Sequence, residues 1–184
     1  MAAFWVFGYG SLMWNPGFAF DDSVAAVLEG HHRSFCVWSR HYRGTPEAPG
    51  LVLGLNPGGG HCEGTAFCIR PEDAAEVRDY LRERELCGYA YVEATLPVRL
   101  RDGRTCEAYT FIADRAHRHY AGDLPVDEAA EIIMRAEGVG GLNRDYLINT
   151  VRALERHGVH EPPLHALLRE VERRTGEIDA GGGI

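Results

Sequence analysis

Two short stretches of this chain hold groups that could do chemistry. The first is Phe7-Gly8-Tyr9-Gly10-Ser11-Leu12. Glycines on both sides of a tyrosine, directly after an aromatic, β-rich run, let the main chain approach a ligand closely with its N–H groups turned outward. A dinucleotide loop would need a glycine where Met13 stands, and a helix start where Trp14-Asn15-Pro16-Gly17 follows. A nucleophile elbow around Ser11 would need glycines in place of Tyr9 and Met13. A plain tight turn at a strand end stays open as the third reading.

The second stretch is Arg82-Glu83-Arg84-Glu85-Leu86-Cys87-Gly88-Tyr89. Charged runs of this kind usually form solvated faces, and that reading covers Glu83 and Glu76. Glu85 differs because it continues the four-residue steps of Val77 and Leu81, so its carboxylate points with them toward the interior. A carboxylate on an apolar face must be paired, neutralised or used. Burial would raise its pKa toward that of a base useful near neutral pH. An arginine-paired or cap-satisfied structural acid is the competing reading.

Other chemistries find little support. The nine histidines include only two close pairs, His31-His32 and His117-x-His119, and neither has zinc-protease spacing. All 19 basic residues are arginine, which removes Schiff-base and P-loop lysines. The five cysteines, Cys36, Cys62, Cys68, Cys87 and Cys106, are odd in number and form no C-x-x-C, so neither a disulfide framework nor a structural zinc is expected. Reduced thiols point to the cytoplasm. The opening residues lack the basic region of a secretory signal, and no apolar run reaches the ~20 residues of a membrane span. A net charge of −8 argues against nucleic acid and against anionic membrane as partners.

The elements that must position these groups can be read from pattern. Phe4–Tyr9 reads as a buried strand. Residues 25–28, 35–38, 51–55 and 64–69 read as further strands, with Gly58-Gly59-Gly60 as a turn between the last two. Residues 89–100 and 105–112 flank Arg101-Asp102-Gly103-Arg104, a hairpin signal. Pro71-Glu72-Asp73 opens the helix that carries Val77, Leu81 and Glu85. Three more helices follow. One begins at Pro125 and buries Ala129, Ile132, Ile133 and Ala136. One is capped by Asn143, turns Tyr146, Leu147, Val151 and Leu154 inward and ends at Gly158. One begins at Pro162-Pro163 and buries Leu164, Leu167, Leu168 and Val171. The class is α+β. One domain is expected over residues 1–175, with 176–184 as a flexible tail.

Four segments, in order, carry a resemblance. They are Trp5 to Pro16, Arg43-Gly44-Thr45-Pro46 with Pro49-Gly50, Tyr80-Leu81 with Arg84-Glu85 and Gly88-Tyr89, and Asn143-Arg144-Asp145-Tyr146-Leu147. Together they resemble ChaC-like γ-glutamylcyclotransferases over residues 5 to 171. One local departure is Cys87, which stands where the family commonly has the first glycine of R-E-x-G-G-Y. The resemblance implies a small mixed β-barrel with packed helices. It implies an enzyme that cyclises the γ-glutamyl group of glutathione to 5-oxoproline and releases Cys-Gly, without cofactor or metal. It implies main-chain contacts to that group from Gly10, Ser11 and Leu12, Glu85 as the catalytic acid/base, and Tyr9 and Tyr146 near the substrate. Other readings are a cyclotransferase for other γ-glutamyl amines or dipeptides, a non-catalytic γ-glutamyl-binding module, and an esterase using Ser11.

Overall fold

Residues 3–88 and 90–181 are described by the computed structural model; Tyr89, at the end of the Glu85 motif, lies outside them. The contacts gather into two units, Met1–Arg33 with Gly54–His117, and Ser34–Leu53 with Arg118–Ile184. No linker announces the division, because each unit is assembled from two separated stretches of chain.

The first unit carries most of a closed five-stranded barrel. Its strands are β1 (Phe4–Gly8), β2 (Asp22–Ser39), β3 (Gly50–Ile69), β4 (Tyr91–Leu100) and β5 (Thr105–Ala113), in the order β1-β3-β2-β4-β5. β1 runs antiparallel to β3, with Val6 opposite Phe67, and parallel to β5, with Val6 beside Tyr109. Alternate residues of β1 face opposite sides of the sheet. Phe7 packs with Leu28, Leu55, Ala66, Val98 and Ala108, while Val6 packs with Phe67, Ile69, Tyr109 and Phe111 on the other face. Burial on both faces is why the run from Phe4 to Phe7 is apolar without alternation. The expected hairpin joins β4 to β5, with Arg99 opposite Thr105 and Gly103 at φ 89°.

β2 and β3 each unite two of the short strands expected from the sequence. Gly58, Gly59 and Gly60 do not end a strand; they lie within β3 with φ of 109°, 50° and 69°. Glycine enters this region at no steric cost, so the chain takes these angles inside one strand.

α1 (Ala74–Leu86) lies in the same unit and buries Val77 and Leu81 among Val6, Leu12, Phe67 and Ile69.

The second unit holds α2 (Val126–Arg135), the two-residue strands β6 (Glu137–Gly138) and β7 (Gly141–Leu142), α3 (Asn143–Arg156) and α4 (Pro162–Gly181). Ala129, Ile132, Ile133, Leu147, Val151, Leu154, Leu164, Leu167 and Val171 are buried, as the helical periodicity requires. α4 runs to Gly181, and residues 182–184 of the expected tail lie outside the described residues.

Asn143 does not cap α3. The N-cap position is Leu142, and the Asn143 side chain instead meets Leu51 as a neighbouring strand would. The Leu51 N–H donates to Asn143 Oδ1 at 2.8 Å, and Asn143 Nδ2 donates to the Leu51 carbonyl at 2.8 Å. Among the described residues no helix is long and apolar enough to cross a membrane.

Candidate functional site

The site is built on the first unit, where a glycine loop and the last turn of α1 are tied together. α1 is fastened to the barrel along its length. Its apolar stripe packs against β1, β3 and β5. Arg82 Nε donates to Glu93 Oε1 on β4 at 2.6 Å, and the Tyr109 hydroxyl donates to the same oxygen. Both bonds hold the Glu93 carboxyl below its ordinary range, and burial with the Glu93 charge pushes the Tyr109 phenol up. The Arg78 guanidinium lies 5.0 Å from the Phe4 ring and 5.1 Å from that of Tyr109.

With Val77 and Leu81 inward, the next position on that stripe is Glu85. Its side chain is 21% exposed, while Glu76 and Glu83 are exposed. Removal from water pushes the Glu85 carboxyl above the ordinary glutamate range, and the Arg84 charge opposes that shift in part. Arg84 Nε lies 3.3 Å from Glu85 Oε1. The paired acid and the desolvated base offered as rival readings of the sequence therefore coexist in one residue, with desolvation the larger influence.

The loop opposite begins where β1 ends. Gly8 is there because nothing larger fits: a β-carbon would sit 2.9 Å from Cβ of Leu12. Gly8→Ala is expected to cost about 1–3 kcal/mol by overpacking and to raise KM by displacing the turn; thermal unfolding and initial rates check both.

Past Gly10 the chain makes one 3-10 turn over Ser11–Met13. The Met13 N–H donates to the Gly10 carbonyl at 2.9 Å and the Asn15 N–H to the Ser11 carbonyl at 2.8 Å. The first N–H groups of such a turn have no acceptor within it. Leu12 is buried and joins the cluster under α1, so the loop is pinned from below.

Two arginines hold the loop. Arg33, on β2, is 3% exposed and donates from Nη1 to the Tyr9 carbonyl at 2.8 Å. A trans peptide sets its C=O and N–H in opposite directions. Fixing the Tyr9 carbonyl toward Arg33 therefore turns the Gly10 N–H away from it. By the same geometry, the Gly10 carbonyl points into the 3-10 turn and the Ser11 N–H points out. Arg84 holds the far side: Nη2 donates to Ser11 Oγ at 3.0 Å, and Nη1 to the carbonyls of Asn15 at 2.8 Å and Pro16 at 3.1 Å and to the Tyr80 hydroxyl at 3.1 Å. Ser11 Oγ thus faces a cationic donor, whereas a nucleophilic serine needs a base there.

Of the residues expected from the sequence, Tyr9, Gly10, Ser11 and Leu12 form one loop, and Arg84 joins it to Glu85. Tyr146 belongs to the second unit. There it meets Phe35 edge-on, with ring centroids 5.6 Å apart, and Arg43, whose guanidinium lies 5.4 Å from its ring; its hydroxyl accepts a long 3.5 Å bond from the Leu53 N–H. Arg33 and Arg84 were not legible as site residues. The available signals were that Arg33 stands at even spacing from the buried Phe35 and Val37 on one strand, and that Arg84 precedes the inward acid. Among the described residues no group of three or more His, Cys, Asp or Glu could hold a metal ion.

Known proteins resemble this chain along nearly its whole length. A family model described as ChaC-like protein matches residues 4–174. A glutathione-specific γ-glutamylcyclotransferase of Escherichia coli is 36% identical over 173 residues, covering 94% of this chain and 74% of that protein. One from Schizosaccharomyces pombe is 32% identical over 190 residues, covering 92% of each. Among solved structures, a γ-glutamyl cyclotransferase specific to glutathione from yeast superposes with a TM-score of 0.82 at 26% identity, over 94% of this chain and 99% of that one.

Proposed function

Because the chain belongs to the ChaC-like protein family, we propose that it is a glutathione-specific γ-glutamylcyclotransferase, with Glu85 as its proton carrier. The observation that carries this reading is the Glu85 carboxyl, held above its ordinary range by burial and joined through Arg84 to a loop of outward main-chain donors.

In a γ-glutamyl amide the α-amine can reach the γ-carbonyl and close a five-membered lactam. The nucleophile is already within the substrate, so the protein has three tasks. It must fold the glutamyl chain until amine and carbonyl carbon meet, a proximity effect that can supply ~7 kcal/mol or more. It must take a proton from an ammonium whose ordinary pKa is near ~8. It must stabilise the tetrahedral oxyanion and protonate the departing nitrogen.

The attacking nitrogen sheds two protons in passing from ammonium to lactam N–H, and the leaving nitrogen gains two in passing from amide to ammonium; Glu85, ionised and sparsely solvated, carries them one at a time, as base toward the first and as acid toward the second. Its elevated pKa narrows the gap to both partners, which favours transfer in each direction. The Gly10, Ser11 and Leu12 N–H groups bind the substrate carboxylate or the forming oxyanion; losing one such donor typically costs ~2.7 kcal/mol or more. Tyr9, on the donor loop itself, contributes to the substrate's surroundings. The five cysteines are in no disulfide, which suits a reducing compartment, and we place the protein in the cytoplasm.

The test is product identity. Purified protein incubated with glutathione is expected to release 5-oxoproline and Cys-Gly in equal amounts, with turnover higher than on γ-glutamyl amines lacking the Cys-Gly half. Release of free glutamate would mean hydrolysis, and thermal stabilisation by glutathione without product would mean a binding module; either outcome overturns the proposal.

A further inference from the structure

The loop that presents the donors has few apolar anchors of its own: Leu12 and Met13 are buried, while Ser11 and Trp14 are only partly so and Asn15 is exposed. Hydrogen bonds help to shape it, and two guanidiniums supply bonds to Tyr9, Ser11, Asn15 and Pro16. Arg33 reaches the Tyr9 carbonyl from β2. Arg84 reaches Ser11, Asn15 and Pro16 from α1, and its remaining nitrogen faces Glu85. A guanidinium suits this work because its five donors are fixed in a plane; an ammonium is a single rotating point charge.

Resting on the function proposed above, we infer that Arg33 and Arg84 are positioning residues that set the donor loop from its two ends, and that Arg84 ties this loop and Glu85 into one assembly. Arg33 orients the Tyr9–Gly10 peptide. Arg84 orients the second half of the loop and also holds the carboxylate. Among the described residues Arg84 is the charge that acts on the Glu85 carboxyl; the Ser11 and Tyr80 hydroxyls meet Arg84 in turn, and Glu93 on β4, which faces α1, is taken by Arg82 and Tyr109. Arg84 is therefore the charge whose removal changes Glu85, whereas Arg33 bonds the loop at Tyr9.

The two arginines can be separated by pH. Arg33→Gln and Arg84→Gln are each expected to lower kcat/KM for glutathione at least tenfold. In Arg84→Gln the acidic limb of the rate profile moves to higher pH, because the charge that favours ionised Glu85 is gone; in Arg33→Gln the limb stays at its wild-type position. Arg84→Lys restores the limb and not the rate, since one ammonium cannot meet four oxygens in the same geometry.

Amide hydrogen exchange provides a readout that needs no turnover. Residues 9–15 are expected to exchange faster in both Gln variants, while the β4–β5 ladder stays protected. Tyr80→Phe, which removes one acceptor of Arg84 and keeps the ring, is expected to do the same more weakly and covers the case in which an arginine variant fails to fold. Unchanged exchange in the loop, or rates within twofold of wild type in both Gln variants, would overturn the inference. So would a limb that moves equally in both. Wild-type protein that is inactive on glutathione but shows the exchange pattern would sink the proposed function and leave the positioning role standing.

Discussion

Glu85→Gln is expected to remove turnover while making the protein harder to unfold. The loss of rate follows from the proton transfers assigned to this carboxyl, and general acid–base catalysis contributes about 100- to 10,000-fold. The gain in stability follows from linkage. Burial holds the Glu85 carboxyl above its value in the unfolded chain. The native state therefore binds the extra proton between the unfolded and the native pKa, and stability falls as pH rises through that window. Below about the ordinary glutamate pKa of ~4.3 the penalty is absent; above the native value it is complete. A glutamine carries no charge to desolvate, so the variant should unfold at a higher temperature than wild type at neutral pH, with the gap closing on acidification. Calorimetry across pH reads the sign directly. A variant that is less stable at neutral pH would mean that the Arg84 ion pair outweighs the cost of burial.

Asn143→Ala is expected to give the largest loss of stability among the substitutions considered. The residue is 0% exposed and exchanges two hydrogen bonds of 2.8 Å with the main chain of Leu51. Each buried bond is worth about 1 kcal/mol net, and an orphaned partner adds roughly 1–3 kcal/mol of its own. A total of roughly 3 kcal/mol corresponds to a drop of about 6–12 °C in Tm for a chain of this size. Asn143→Asp carries a sign that distinguishes the hydrogen-bonding role from simple packing. Ionised, it sets a charge against the Leu51 carbonyl; protonated, it can accept from the Leu51 N–H and donate to the carbonyl as asparagine does. Its Tm deficit should shrink as pH falls, and a deficit independent of pH would assign Asn143 to packing alone.

Much of this site was legible because it depends on short-range pattern. The steps Val77, Leu81, Glu85 placed one acid on the buried stripe, and Glu85 is partly buried while Glu76 and Glu83 are exposed. The doubly apolar run at Phe4–Phe7 announced a strand covered on both faces, and Asp102-Gly103 announced the β4–β5 hairpin. What failed depends on partners distant in sequence. Gly58–Gly60 reads locally as a chain reversal, yet the three glycines lie inside one strand, β3, of the closed barrel. Asn143 has every local mark of a cap, yet Leu51, 92 positions away, claims its amide. Arg33 and Arg84 carry the commonest basic side chain of this protein, so type alone could not separate them from the solvated arginines. Their acceptors are main-chain carbonyls and hydroxyls, which leave no compositional trace.

The central claim is that one carboxyl both titrates above the ordinary glutamate range and limits the reaction. It is tested most directly by following the Glu85 side-chain carboxyl with 13C NMR in the free protein, using the Glu85→Gln spectrum for assignment, and setting that titration beside the pH dependence of kcat/KM for glutathione. The expected result is a single inflection shared by the two curves, above the pH at which exposed glutamates titrate. A Glu85 carboxyl that titrates with the exposed glutamates, while the acidic limb of the rate lies elsewhere, would contradict it.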